Sequence, residues 1–549
     1  MLILGKIIFT NIFFFLSGKI FCKFLFKNKG KFDQSEIAIF GTIIVSFFAL
    51  LINFFFPLDK ITNTITLIVP LFFLFKYRFI EKKDFVFILY STPLILLIIA
   101  YSSINTPDAG LYHLPYTQIL NENKIILGLS NLHSRFGHIS IIQYLSAINY
   151  NYINGVEGIL IPLASLMVYI FLYFASEVYK YTKSNLNISV NQLFCLFILC
   201  YISYKINRYS EFGNDAVAHM LFFYLISVFF KSNFNYHFLQ KTGIVSTFIF
   251  LNKVTLLLAF IFPLIIFFKC KKINIKIFYS FSVIFLTLWL IKNIFISSCL
   301  IYPFEKTCFN NFSWSNKIEI NKQRILGEAW AKGWPDRQNK TIDKTSFIKK
   351  FNWIDAWSSV HLKYILKIIF PYIIFLIIIS LIINFKFKRN QIKKTFFLDE
   401  RFKTIITVII LLLGNLIFFL KFPLYRYGYS YTISFISIFF SLSIFTYNKD
   451  FIKKTFNFFL ILSIIVLSLK QIIRIKDNYS EKSFWPNIEN FSENINLKNE
   501  FYIKKLGDNY NIYVSKSECM YINAPCTNYL SNNISHKKVF GYDLIFLKK

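Results

Sequence analysis

Asp108 stands in "INTPDAGLYHLPYTQILNENKIILGLSNLHSRFGH", Ile104 to His138, which also holds His113, His133, Arg135 and His138 between two apolar runs. A carboxylate in such a place can serve as a general base, and His or Arg can hold a phosphate. Asp108 and Tyr112 are four residues apart, so a helical turn aligns them. From Tyr112 to Leu127 the pattern suits an amphipathic helix lying in a membrane interface. The plain alternative is a solvated loop with incidental charges.

Further ionisable groups stand at the edges of other apolar runs. In "RYSEFGNDAVAHMLFFYLI", Glu211 and Asp215 precede the run and His219 lies one turn inside it. An Asp at a helix start is also an ordinary cap, whereas an ionisable side chain within a span usually faces a cavity or a partner. Lys292 of "LWLIKNIFISSCLIYPFEKTCF" sits inside an apolar run, where it either snorkels to the surface or meets a lipid phosphate. Arg426, between Tyr425 and Tyr427 in "LKFPLYRYGYSYT", is an interface anchor or a further cation for an anion. Lys253 interrupts the apolar stretch 243–268. Acids at two run ends and cations at others are what would hold an anionic lipid headgroup beside a carboxylate base.

The elements that must position these groups are membrane helices. The 549 residues are 55% hydrophobic and only 16% charged, against about 25% charged in soluble domains. Apolar runs near 2–18, 36–57, 61–75, 84–103, 155–179, 190–206, 215–230, 243–268, 277–300, 361–385, 404–420, 429–447 and 455–470 recur from end to end. An all-α polytopic membrane protein with about thirteen to fourteen transmembrane helices is expected. The higher count makes 243–268 a hairpin with Lys253 at its far end. The short basic loops at Lys19–Lys31, Lys76–Lys83, Lys269–Lys276, Lys386–Lys394 and Lys449–Lys454 then share one side, which the positive-inside rule makes the cytoplasm. The loop of Asp108, the region 208–215, the loop 301–360, the 421–429 turn and the tail from 471 fall outside. The first run lacks a small-residue cleavage site and reads as a retained helix.

The net charge of +33 does not point to nucleic acid, because the Lys and Arg residues fall in short clusters between apolar runs. Three regions are expected: N-terminal helices over 1–83, a transmembrane catalytic region over 84–470 with exterior loops 102–154 and 301–360, and an exterior α+β module over 471–549. Strand-like alternation marks "NIYVSKS" and "KVFGYDLIF" in that module. The spacings of Cys299 with Cys308 and of Cys519 with Cys526 permit two disulfides, which suits an oxidising exterior; four free thiols are the alternative. No Cys/His metal spacing is present.

In order and placement these motifs resemble the GT-C superfamily of polytopic glycosyltransferases, which use polyprenyl-phosphate-linked sugars. "PDAGLYHLPY" resembles its D-x-x-x-Y-H-x-P stretch, with Asp108, Tyr112, His113 and Pro115. "GNDAVAHMLFF" resembles its second acidic site, with Asp215. "FIFLNKVTLLLAFIFPLI" resembles its K-x-t-x-l-x-x-x-P hairpin, with Lys253 and Pro263. "WLIKNIFISSCLIYPF" resembles the span end with Lys292, Asn293 and Pro303, where Ser298 replaces the usual Gly. "PLYRYGY" resembles the late P-x-x-R-Y turn, with Pro423, Arg426 and Tyr427. "GLSNLHSRFGHIS" and "CMYINAPCT" are similar to the G-L-x-N-L-H-x-R-F-G signature and the paired-Cys tail of an uncharacterised bacterial membrane-protein family grouped near this superfamily.

The resemblance implies a transferase of the bacterial inner membrane whose site faces the periplasm. It would move a sugar from a polyprenyl-phosphate donor to a cell-envelope glycan or lipid, such as lipopolysaccharide. Asp108 would be the general base. Lys292 and Arg426, with Lys253, would hold the phosphate, and Asp215, Tyr112 and His113 would orient donor or acceptor. His133, Arg135, His138 and His219 complete the expected substrate-binding set. No D-x-D or E-x-D pair supports a divalent metal. Two other classes fit the composition. An O-antigen polymerase or ligase would use the loop 301–360 with Arg324, Asp336 and Arg337, and a transporter would place charges near mid-membrane within repeated halves.

Overall fold

The computed structural model describes residues 2–26, 32–77, 81–104, 107–184, 188–205, 212–213, 215–270, 280–334, 343–385, 398–443, 449–488, 501–506, 510–531 and 533–548. The chain is mostly helical, with a small sheet module at its C-terminal end. Among the described residues six helices are long and apolar enough to cross a membrane: Leu2–Phe26, Gln34–Asn53, Val156–Lys183, Ile354–Ile382, Asp399–Lys421 and Phe451–Asn478. Shorter apolar helices include Lys60–Phe72, Val190–Lys205, Asp215–Phe230, Val254–Lys269 and Phe281–Ser297.

Helices pack closely where side chains vanish. Gly18 and Gly41 face each other across the first two helices. A Cβ on Gly18 would overlap the carbonyl of Ile37, and one on Gly41 would overlap that of Phe14. Small residues at a crossing let backbones approach, which supplies the dispersion contacts that hold helices together in lipid. A second set of links is ionic, and one of its pairs is buried. Lys241 pairs with Glu36, whose carboxylate also accepts from the Tyr224 hydroxyl at 3.0 Å, and Lys231 pairs with Glu177 at 2.6 Å.

The stretch 243–268 is a hairpin. The helix Tyr236–Asn252 stops at Lys253, which is extended (φ −149°, ψ 104°), and the chain returns through Val254–Phe260 and Ile261–Lys269. The two arms touch, with the Ser246 hydroxyl donating to the Ala259 carbonyl at 2.9 Å.

Several boundaries differ from the expectation, two of them at the chain's first and last long helices. The first helix runs on past residue 18 to Phe26, and the last helix runs to Asn478, beyond the expected limit of 470. The segment after Tyr112 is not an interfacial helix with an open polar face. A π-turn at Ala109–His113 leads into the helix Leu114–Glu122, in which every residue from Leu114 to Asn121 is buried. Protein covers its polar side as far as Asn121, which donates to the carbonyl of Ala147 (2.9 Å) and accepts from the Tyr521 hydroxyl (3.1 Å), and Glu122 is exposed.

Tyr521 belongs to the C-terminal module. Phe501–Leu506 and Tyr510–Ser515 pair antiparallel, and Cys526–Thr527 joins the latter in parallel. Ile534–Val539 and Tyr542–Leu547 form a second hairpin. Its turn is Phe540–Gly541, both with positive φ (49° and 75°), the primed geometry that two-residue hairpins favour. "KVFGYDLIF" is therefore a hairpin rather than one strand. Cys519 is bonded to Cys526, and Cys299 to Cys308.

Candidate active site

Four distant segments bring charge to one end of the bundle. Asp108 immediately precedes the π-turn that follows the helix Lys82–Ile99. Asp215 begins the helix Asp215–Phe230, Lys253 makes the hairpin turn, and Arg426 lies in the first turn of Tyr425–Ser443. Arg426 joins the two acids. Its Nη1 lies 3.2 Å from Asp108 Oδ2, and its Nε lies 3.8 Å from Asp215 Oδ2. Lys253 pairs with the other oxygen of Asp215, and Arg135 lies 3.6 Å from the other oxygen of Asp108. Two carboxylates thus face three cations, an excess of one positive charge. A dianionic or monoanionic phosphate suits that excess better than a cationic ligand does.

Aromatic rings line the cluster. Lys253 Nζ is 4.0 Å from the Tyr427 ring centroid, and the Arg135 guanidinium is 5.0 Å from that of Tyr112. The Arg426 guanidinium lies 5.7 Å from the Trp330 ring. Trp330 ends the helix Lys317–Ala331 in the loop 301–360 and was not among the expected residues. Its only sequence signal is a large exposed aromatic in a polar loop. Asp336 and Arg337 of that loop, and Glu211, lie outside the described residues; Arg324 donates to Asn321 and is not part of the cluster.

The segment 128–138 brings Arg135 to Asp108. Gly128 has φ +68°, and a Cβ there would meet the carbonyl of Ile545 and the Trp314 side chain. Asn131 donates to the carbonyls of Trp314 (2.9 Å) and Ile545 (3.3 Å). His133 Nδ1 accepts from the backbone N–H of Arg135 at 3.2 Å, and His138 packs its ring edge-on against Tyr302 (5.1 Å). His133 and His138 are thus occupied with shaping the turn, and only Arg135 reaches the cluster. Burial and the neighbouring Arg135 push the His133 imidazole down to about 4, so it is neutral near pH 7.

His113 is buried below Tyr112, with ring centroids 4.2 Å apart. Gln143 Oε1 accepts from the Ser140 N–H, so its amide nitrogen is the donor to His113 Nδ1, at 2.6 Å. Burial lowers the imidazole to about 4, against the pull of Asp108 and Asp215. Gln143, which fixes this tautomer, carries no chemical signal in the sequence.

Two expected substrate contacts do otherwise. His219 is fully buried. Its Nε2–H donates to the Arg426 carbonyl (2.9 Å) and its Nδ1 accepts from Ser430 (2.8 Å), so both nitrogens are spent inside the protein. It fixes the turn that carries Arg426 and is a positioning residue. Lys292 does not join the cluster. It is 1% exposed, its Nζ is 3.3 Å from the Trp289 ring centroid, and no carboxylate among the described residues is within ion-pair reach. At the end of its helix Ser298 takes φ +61°, the left-handed conformation that glycine adopts without steric cost.

All four oxygens of Asp108 and Asp215 face nitrogen cations, and among the described residues no three His, Cys, Asp or Glu side chains converge.

No curated protein and no solved structure matches this chain. A family model does match, over residues 1–433, which takes in every charged group of the cluster and stops short of the C-terminal module. The chain belongs to that family, the domain of unknown function DUF8201.

Proposed function

We propose that the chain is a GT-C-like integral-membrane glycosyltransferase. It has thirteen to fourteen crossings by the sequence reckoning of about 20 residues each, and it lies in a bacterial inner membrane with the Asp108 end facing the periplasm. It transfers a sugar from a polyprenyl phosphate to an envelope glycan or lipid. The observation that carries the reading is the bridge from Asp108 through Arg426 to Asp215, flanked by Arg135 and Lys253. The guanidinium groups of Arg426 and Arg135, with the Lys253 ammonium, pair with the two acids. A donor phosphate competes for the same cations, and its arrival frees Asp108 to accept a proton. The acceptor oxygen then attacks the anomeric carbon while its proton passes to Asp108. The bond from the anomeric carbon to the phosphate oxygen breaks with inversion, and the phosphate leaves as an anion held by Arg426, Arg135 and Lys253.

Asp108→Asn tests this directly. Surface glycans of cells carrying the variant, compared by mass analysis with wild-type and deletion strains, should match the deletion strain while the protein still accumulates in membranes. Glycans of near wild-type mass would overturn the assignment. The transporter reading draws on the buried pair Lys241–Glu36 and the adjoining pair Lys231–Glu177, and it predicts solute uptake by proteoliposomes with no change in surface glycans.

A further inference from the structure

A second polar site lies along the helix Leu114–Glu122, away from the charged cluster. Asp59, Lys60, Gln118, Asn121, Glu122, Tyr150 and Tyr152, with the apolar Ile61, line an open cleft of about 310 Å³. It lies at the end of the molecule that carries Asp108, since Tyr112 and Gln118 are separated by about 9 Å of helix rise.

The cleft's chemistry is specific. Gln118 is 9% exposed, and its Oε1 has no hydrogen-bond partner. Its amide nitrogen is committed to Glu122, which leaves Oε1 an enclosed acceptor without a protein donor. Glu122 also accepts from the Ala524 N–H of the C-terminal module at 3.2 Å, and that module's Tyr521 ring lies 6.0 Å from Tyr150. Lys60 Nζ sits 5.0 Å from the Tyr150 ring centroid, and Tyr152 is 67% exposed at the mouth. Two carboxylates against one ammonium disfavour an anion. The ammonium disfavours a simple cation, and the acids disfavour an apolar ligand. Donors and acceptors interleaved with tyrosine rings match a ligand that has hydroxyls around its edge and C–H bonds on its faces.

We propose that this cleft is a saccharide-binding subsite. It goes beyond the transfer reaction in that binding here needs no chemistry at Asp108. If the transferase reading holds, its position along the helix suits a distal ring of a glycan acceptor. The ligand is either a free oligosaccharide or the headgroup of a glycolipid. Calorimetric titration of the full-length protein with chitotriose and with maltotriose, in detergent, is the test. A glycolipid bearing the same sugars in nanodiscs forms a separate arm that distinguishes the source. At least one probe should bind, and both Tyr152→Ala and Gln118→Leu should weaken it tenfold or more. Tyr152 is exposed, so its replacement leaves the fold intact. Absence of binding in all arms, unchanged binding by Tyr152→Ala, or displacement of the sugar by magnesium or spermine would each overturn the proposal. The Asp108→Asn protein should bind the sugar as wild type does. Surface glycans unaltered by that variant would remove the transferase reading and leave the cleft standing, whereas sugar binding indifferent to Tyr152 would do the reverse.

Discussion

At the scale of single residues, Arg426 is the group whose geometry is hardest to replace. Its Nη1 and Nε serve different carboxylates, 3.2 Å and 3.8 Å away, and an ammonium has one nitrogen to offer. Arg426→Lys should therefore cut sugar transfer by about a hundredfold, the scale seen when one stabilising donor is removed, as read by radiolabelled sugar incorporation in membranes. His113 gives a pH prediction. Its folded value of about 4 lies below the ordinary 6.5, so between those values the unfolded chain binds a proton that the native state does not. Stability from this group is complete above pH 6.5 and is lost as pH falls towards 4, by about 2 kcal/mol at pH 5. The melting temperature in detergent should drop between pH 7.5 and 5, and His113→Gln should shrink that drop. Residue types made Asp108, Asp215, Lys253 and Arg426 visible as candidates. Their pairing was hidden, because Asp108 and Arg426 are 318 positions apart and nothing local encodes that contact. The roles of His133 and His219 were hidden too. An imidazole with chemical potential looks the same in sequence as one whose nitrogens close a turn.

At the scale of elements, the apolar runs announce the helices, and the charge alternation announces the hairpin at Lys253. The docking of the C-terminal module has no such signal. The backbone N–H groups of Cys519 and Met520 both donate to the Gly110 carbonyl, at 3.0 and 2.9 Å, two residues from Asp108. A Cβ on Gly110 would overlap the Glu518 carboxylate and the Met520 sulfur. Gly110 therefore matters for close approach rather than for φ, and the module braces the turn that holds the proposed base. Gly110→Ala should push the module away, exposing it to limited proteolysis and lowering transfer without loss of the helical bundle. Cys519→Ser should act in the same direction, since releasing a disulfide loop costs roughly 2–4 kcal/mol. Gel analysis after brief protease treatment distinguishes a freed module from a globally unfolded chain.

At the scale of the whole molecule, the ionic links around the buried Glu36–Lys241 pair separate a scaffold from a pathway. Glu36 and Lys241 are 4% and 7% exposed, and the Tyr224 hydroxyl completes the carboxylate's coordination. Asp33, Glu36 and Glu177 are matched by Lys180, Lys231 and Lys241, so the network is neutral and internally satisfied. Charges that carry a solute must change partners, whereas charges that fix helix register need only stay paired. Removing one partner strands the other in a medium that cannot solvate it. Lys241→Met alone should then cost about 3–5 kcal/mol, seen as a large fall in melting temperature in detergent. Replacing both partners, Glu36→Gln with Lys241→Met, leaves no uncompensated charge and should recover most of that loss, with sugar transfer retained. Recovery of stability with transfer abolished would instead make the pair part of the working machinery, and would shift weight towards a transport cycle that alternates these partners.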